Sequence, residues 1–306
     1  MARPLVRGTV LRARSGFYTV QTDGGPLECQ LRGRLKRERA SSELAVIGDA
    51  VMILPLGDGI GAIEEVVPRR TSFGRRQPGP RGAWRQDLLV ANVDQVLVVF
   101  ACADPIPHLR MVDRFLVAAE HNEIPAVLLV NKVDLCGEPA ARDLFAQYEK
   151  AGYDVRYMSG RTGAGVDGLR ELLAGHISVF TGPSGVGKST LLNVIQPGMS
   201  LATASVSDAI HKGRHTTVTA ELLPLEGAHG GWVADTPGLR EIGLWALPDE
   251  ELAWCFPDIR PHLGGCAFND CRHAGEPRCA VHAAVTAGLV TVERYDSYRR
   301  LLLGDG

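Results

Sequence analysis

No stretch of this chain is apolar for long enough to cross a bilayer. The longest run, VLVVFACA at 96–103, falls well short of the roughly twenty residues that a span requires. The first twenty residues are broken up by Arg and Gly and lack the apolar centre of a secretory leader, so the expected location is cytoplasmic, with no membrane partner. Net charge is nearly absent too, at −2 over 306 residues, yet the balance is uneven. Residues 66–86 contain no acidic side chain but carry Arg69, Arg70, Arg75, Arg76, Arg81 and Arg85, and residues 1–40 set nine basic side chains against three acidic ones. A cationic front end either attracts polyanions, through counterion release and long-range steering, or forms an ordinary solvated face. Internal repeats and low-complexity tracts are missing as well. With 45% hydrophobic residues, the chain is long enough for two or three domains with real cores.

The cysteines lack the spacing of a disulfide framework. Their number, seven, is odd; Cys29, Cys102, Cys136 and Cys255 are scattered, whereas Cys266, Cys271 and Cys279 crowd into CAFNDCRHAGEPRCAVH. In a reducing compartment such a cluster points to metal rather than to bridges. Three thiolates and an imidazole suffice for a closed tetrahedral Zn²⁺ site, which has no open position for catalysis and is therefore structural. The fourth ligand is either His273 or His282.

The opening third alternates short β-like runs with Gly turns: TVLRA, FYTVQT, LECQLRG, then VIGDAVMILPLGDGIGAIEEVV. Strands at this spacing predict a small closed sheet such as an OB-type barrel over residues 1–70. TSFGRRQPGPRGAWRQ, rich in Pro, Gly and Arg, reads as a linker or exposed loop, with the linker placed at 71–85. From 86 to 244 apolar strands alternate with helix-like segments, the pattern of a parallel α/β sheet covered on both faces. Residues 245–306 turn to short helical pieces around the Cys cluster.

GPSGVGKST, from Gly182 to Thr190, matches G-x-x-x-x-G-K-[ST] and lies between a strand-like and a helix-like segment. The glycines let the backbone turn the N–H groups of Gly182, Ser184, Gly185, Val186 and Gly187 inward around a β-phosphate, with Pro183, which has no N–H, lying within the same loop. Lys188 bridges the β- and γ-phosphates, and the Ser189 hydroxyl is placed on Mg²⁺, with Thr190 next in the helix. Downstream, DTPG at 235–238 resembles D-x-x-G, in which Asp235 holds Mg²⁺ through water and the Gly238 amide meets the γ-phosphate. Between the two lies KGRHTTVTA, where Thr217, or failing that Thr216, would complete the Mg²⁺ shell.

The base is read from NKVD, which closes the apolar run AVLLVNKVD. Asp134 accepts two hydrogen bonds from guanine, whereas adenine would leave its carboxylate desolvated and unpaired; polar matching of this kind discriminates by about four or five orders of magnitude. Asn131 fixes the loop and contacts the base, the Lys132 stem packs on the base face, and Val133 completes the segment. SGRTGAG at 159–165, with Ser159 and Gly160, resembles the S-A-x element that backs the base, with Gly160 in the place of Ala.

The base readers thus precede the phosphate binders, which is the mark of circularly permuted GTPases. With the basic β-domain before them, QDLLVANVDQ, and C-x₄-C-x-H-x₅-C after them, the chain closely resembles the bacterial ribosome small subunit-dependent GTPase A family over essentially its whole length. The resemblance implies a P-loop GTPase domain between an N-terminal OB-fold and a C-terminal helical zinc-binding domain. It also implies one Zn²⁺ per chain, binding to the 30S ribosomal subunit and 16S rRNA in late maturation, and GTP hydrolysis stimulated by that subunit; Mg²⁺ with GTP is expected from the phosphate motifs, and the expected working form is a monomer. The zinc ligands carried over are Cys266, Cys271, His273 and Cys279.

One group is missing where Ras-like GTPases have a water-orienting Gln: the residue after Gly238 is Leu239. Intrinsic hydrolysis is expected to be slow, with His215 brought over the γ-phosphate on the ribosome, or else serving only as an rRNA or switch contact. His215, Lys188 and Thr217 are thus the candidate catalytic residues. Phe17 and Tyr18 are either stacking platforms for RNA or barrel core. A GTP-gated RNA-binding scaffold, in which hydrolysis is incidental, is the alternative reading.

Overall fold

The computed structural model describes residues 4–33, 35, 45–78, 84–198, 221–226, 230–235, 247 and 249–304. In chain order the strands are β1 (Val6–Arg14), β2 (Phe17–Thr22), β3 (Gly25–Leu31), β4 (Ala50–Gly57), β5 (Ile60–Val66), β6 (Ser72–Pro78), β7 (Trp84–Ala91), β8 (Gln95–Ala101), β9 (Ala126–Asn131), β10 (Asp154–Tyr157), β11 (Ile177–Thr181), β12 (Glu221–Pro224) and β13 (Trp232–Asp235). The helices are α1 (Leu109–His121), α2 (Val133–Cys136), α3 (Glu138–Lys150), α4 (Val166–Leu173), α5 (Lys188–Ile195), α6 (Asp249–Leu252), α7 (Ala280–Thr286) and α8 (Val292–Leu303). The chain divides into two compact units, one of Met1–Gln95, Arg170–Phe180 and Gln196–Arg240, the other of Val96–Leu169, Thr181–Ile195 and Glu241–Gly306.

The first unit is built on the expected barrel. Five strands follow the order β1-β2-β3-β5-β4 and close through a β1–β4 ladder; β3 and β5 run parallel, the other pairs antiparallel. Alternation along the strands sends Val10, Tyr18, Val20, Cys29, Leu31, Val51, Ile53 and Ile63 into one core, and closure removes the free edges that an open sheet would expose. Tyr18 is therefore barrel core, whereas Phe17, its neighbour, is 54% exposed. At the foot of the barrel the fully buried Asp49 accepts from the Val46 N–H (2.8 Å) and from Arg69 Nε (2.7 Å), so the charge is both paired and hydrogen-bonded, as burial demands.

Two segments differ from the sequence reading. The stretch expected to be a linker or loop forms much of the β6–β7 ladder, in which Phe73 pairs with Val90 and both side chains are buried. The many Pro, Gly and Arg residues in this part of the sequence hide its short apolar alternation. β12, which carries no pattern long enough to read, pairs antiparallel with β13 and meets β1 at Arg12 and Glu221, whose side chains form an ion pair.

In the second unit β10, β9 and β8 form a parallel ladder, with Ala101 opposite Asn131. Every residue of β8 is buried, as in a parallel strand covered on both faces. α1 turns Val112, Phe115, Leu116, Val117 and Ala119 inward. The C-terminal helices gather Leu252, Phe256, Ile259, Val281, Val290, Tyr295 and Tyr298 into a core that Val117 of α1 joins. Beside it Arg294 is fully buried, in ion pairs with Asp113 of α1 and with Asp258 (2.9 Å), and its guanidinium lies 4.5 Å from the Phe256 ring centroid. Among the described residues no helix is long and apolar enough to cross a membrane.

Candidate nucleotide site and metal centre

The base-reading and phosphate-binding segments meet at one side chain. Asn131 ends β9 and is 2% exposed; its Nδ2 donates to the Val186 carbonyl at 2.9 Å and its Oδ1 accepts from the Gly160 N–H at 3.0 Å. One amide thus ties NKVD to GPSGVGKST on one side and to SGRTGAG on the other. Lys132 then takes a left-handed backbone conformation, φ 64°, which turns the chain out of β9 into α2 and sets Asp134 in the first turn. Asp134 Oδ1 accepts from Ser159 Oγ at 2.6 Å, and the same Ser159 oxygen accepts from the Thr162 N–H at 3.1 Å. The carboxylate is thus oriented by the Ser159 hydroxyl. This role of Ser159 is absent from the sequence reading, in which the segment acts largely through its backbone; nothing in the string SGR tells a Ser that orients a carboxylate from one that caps a turn.

In the segment GPSGVGKST the three glycines Gly182, Gly185 and Gly187 all have positive φ. Gly182 has φ 136°, and a Cβ there would lie 2.2 Å from the Val99 carbonyl oxygen. Ser184 and Gly185, expected to meet phosphate through their amides, are exposed, between the half-buried Pro183 and the buried Val186. Gly185 has φ 80°, a left-handed turn that brings the chain back from this exposed stretch to Val186. At Gly187, φ 96°, a Cβ would fall 2.3 Å from Asn131 Nδ2, so any side chain would displace the clamp just described. Lys188 Nζ donates to the carbonyls of Gly182 (2.7 Å) and Pro183 (2.6 Å), while Ser189 and Thr190 follow in the first turn of α5. Lys132 Nζ donates to the Asp104 carbonyl. Gly160 suits its place: a Cβ would sit 3.3 Å from Thr190 Cγ2 and 3.2 Å from Leu191 Cδ2, tighter than comfortable contact. His215, Thr216, Thr217, Gly238 and Leu239 lie outside the described residues, and Asp235 is described only as the last residue of β13.

Cys266, Cys271, His273 and Cys279 come together, with one ligand atom from each and all four within 4.8 Å of one another. His273 Nδ1 lies 3.4 Å from Cys266 Sγ and 3.5 Å from Cys279 Sγ. The loop is shaped from outside: Tyr295 and Tyr298 hydroxyls donate to the carbonyls of His273 (2.9 Å) and Arg272 (2.7 Å). The Glu276 carboxylate accepts from the N–H groups of Arg272, Ala274 and Gly275. Burial lowers the His273 pKa, which keeps its imidazole neutral and able to donate a lone pair. Burial, reinforced by the adjoining Cys266 and Cys279, pushes the Cys271 thiol up to about 12 despite a backbone hydrogen bond that opposes it. Three soft sulfurs and a neutral imidazole are the donor set of a closed, four-coordinate metal site. His282, the rival fourth ligand, is exposed on α7 and faces the Tyr295 ring instead.

Two of the remaining cysteines depart from the sequence reading. Cys102 and Cys136, taken there as scattered, are joined as a disulfide, because the β8–β9 register brings the chain after Ala101 beside the end of NKVDLC.

The family profile of the RsgA GTPase matches residues 66–245. The chain belongs to the RsgA GTPase family. The profile of the RsgA N-terminal domain covers residues 7–63, the span of the barrel strands. Curated relatives named small ribosomal subunit biogenesis GTPase RsgA include that of Gemmatimonas aurantiaca, 47% identical over 96% of this chain and 95% of its own length. That of Moorella thermoacetica is 44% identical over 97% and 96%. Among solved structures, YjeQ from Thermotoga maritima aligns with a TM-score of 0.81 and 35% identity over 98% of both chains. YloQ, described as a circularly permuted GTPase, gives 0.76 and 30% over 99% of this chain and 96% of its own. The fold is accordingly mixed α/β, with a closed N-terminal barrel and a permuted GTPase domain, as the order of the motifs implies.

Proposed function

We propose that this chain is a GTP-hydrolysing assembly factor that binds the 30S ribosomal subunit and 16S rRNA and assists late maturation of the small subunit. The observation that supports the reading is the Asn131 amide, which joins NKVD to GPSGVGKST and to SGRTGAG by hydrogen bonds. The names of the full-length relatives supply the ribosomal context. In this reading Asp134 takes the guanine donors, with Ser159 and Gly160 backing the base and Lys132 covering its face. The backbone from Gly182 to Gly187, Ser184 and Gly185 included, surrounds the β-phosphate, and Lys188 moves from the carbonyls of Gly182 and Pro183 to the β- and γ-phosphates. Ser189 would hold Mg²⁺, which when bound neutralises charge on the phosphate oxygens. The roles of Thr217, Thr216, His215, Asp235 and Gly238 rest on their motifs alone.

Zinc fits the S₃N donor set of the C-terminal cluster, one ion per chain, in a structural role. Phe17 stands exposed beside the exposed Arg14, an arrangement suited to base stacking and phosphate contact; Tyr18, being core, is not part of it. Domain limits at 1–70, 71–85, 86–244 and 245–306, a cytoplasmic location and a monomeric working form complete the proposal. The test is GTP hydrolysis measured alone, with purified 30S subunits and with 50S subunits. Stimulation by 30S only is expected; equal rates in all three would reduce the reading to a GTPase without this partner.

A further inference from the structure

A pair of sulfurs brackets the guanine-reading loop. Cys102 follows the last residue of β8 and donates its backbone N–H to the Asn131 carbonyl at 2.9 Å; Cys136 is the last residue of α2, the four-residue helix that carries Asp134. They are disulfide-bonded across 34 positions of sequence, with Cα atoms 6.8 Å apart. Cys102 is 5% exposed and Cys136 is exposed.

We propose that Cys102 and Cys136 form a thiol–disulfide latch that sets how tightly the NKVD loop holds a guanine nucleotide. The inference rests on the guanine reading of Asp134. α2 is a single turn, and one turn has little stability of its own. On its entry side it hangs from Lys132, which occupies the left-handed region at a cost, and from the Val133 N–H bond to the Met158 carbonyl at 3.2 Å. On its exit side the next residue is Gly137, φ 81°. The bridge is the covalent restraint at that exit, and with it in place Asp134 is seated on Ser159. Oxidised protein therefore binds with the base reader already ordered, and reduced protein orders α2 at the moment of binding.

The chemistry is a two-electron exchange. The exposed Cys136 thiolate attacks a low-molecular-weight disulfide such as glutathione disulfide, forming a mixed disulfide and releasing one glutathione thiolate. Cys102, as thiolate, then attacks the Cys136 sulfur, and the second glutathione leaves. Two protein S–H bonds and one S–S bond give one protein S–S bond and two glutathione thiols, so protons and electrons balance. A disulfide of this kind in a reducing compartment is transient and regulatory rather than structural.

The experiment compares full-length, zinc-loaded protein treated with glutathione disulfide or with dithiothreitol. A digest is examined for the peptide linking Cys102 to Cys136, and the dissociation of a fluorescent GDP is timed in each form. The linked peptide and about tenfold slower GDP release after oxidation are expected, equivalent to about 1.4 kcal/mol. The Cys102→Ser/Cys136→Ser double variant should release GDP at one rate under both treatments, which separates the latch from any oxidation of the zinc thiols. Absence of the linked peptide overturns the proposal, as does equal or faster release from the oxidised protein, or an equal redox effect in the double variant. If neither form binds GDP, the guanine reading itself fails and the latch falls with it.

Discussion

At the scale of single residues, the nucleotide site depends on groups that hold other groups. Asn131 uses both ends of its amide on protein, so Asn131→Ala leaves the Val186 carbonyl and the Gly160 N–H without that partner. An unpaired buried polar group costs about 1–3 kcal/mol, and GDP affinity should fall at least tenfold, read by titration with a fluorescent nucleotide; unchanged affinity would mean that the three loops are held otherwise. The metal centre makes a prediction about pH. His273 has a lowered pKa, so it stays neutral below the ordinary histidine range, while burial pushes the Cys271 thiol up to about 12. Metal binding must therefore expel thiol protons, and affinity falls as pH drops. Release of the metal from protein loaded with Zn²⁺ to a chromophoric chelator, followed on acidification, should show a steep profile with more than one proton taken up. A single-proton profile lying below the ordinary histidine value of about 6.5 would assign the control to His273 instead.

At the scale of elements, what could be read in advance divides by the kind of constraint. NKVD, GPSGVGKST and the Cys/His cluster stand out in the sequence because each packs its residues into a short string of fixed spacing. β8, β9 and α1 are legible because burial on fixed periods leaves a long trace. β12 is not, being four residues long, and neither is the β6–β7 ladder, whose sequence is rich in Pro, Gly and Arg. Least legible is Arg294, whose partners Asp113 and Asp258 are 181 and 36 positions away and whose side chain looks, on a helix reading VERYDSYRR, like any solvated charge. It nevertheless carries a large consequence. Removing a buried cation from between two carboxylates costs about 3–5 kcal/mol, so Arg294→Ala should lower the denaturant midpoint sharply. Replacing Arg294, Asp113 and Asp258 together by apolar residues of similar volume should recover much of that loss, because it strands no charge; recovery of nothing would show that the triad contributes more than paired burial.

At the scale of the whole molecule, the expectation from the motif order is that the chain after DTPG carries the nucleotide signal toward the C-terminal region. That expectation is measured by the affinity of the protein for 30S subunits when loaded with GDP or with a non-hydrolysable GTP analogue: a difference of about tenfold or more, roughly 1.4 kcal/mol, supports a signal, and equal affinities exclude one. The Arg294 ion pairs add a condition, since they fasten the C-terminal helices to α1, so the signal cannot be a free swing of those helices away from α1 unless a buried charge is broken open. The clamp at Asn131 has a consequence of another kind. The two segments it unites stand 55 positions apart, and what unites them is a hydrogen-bonded side chain rather than a peptide link. A pocket sewn together in that way is indifferent to where its thread begins, and the positions at which the thread is cut become places where new cargo can be tied on.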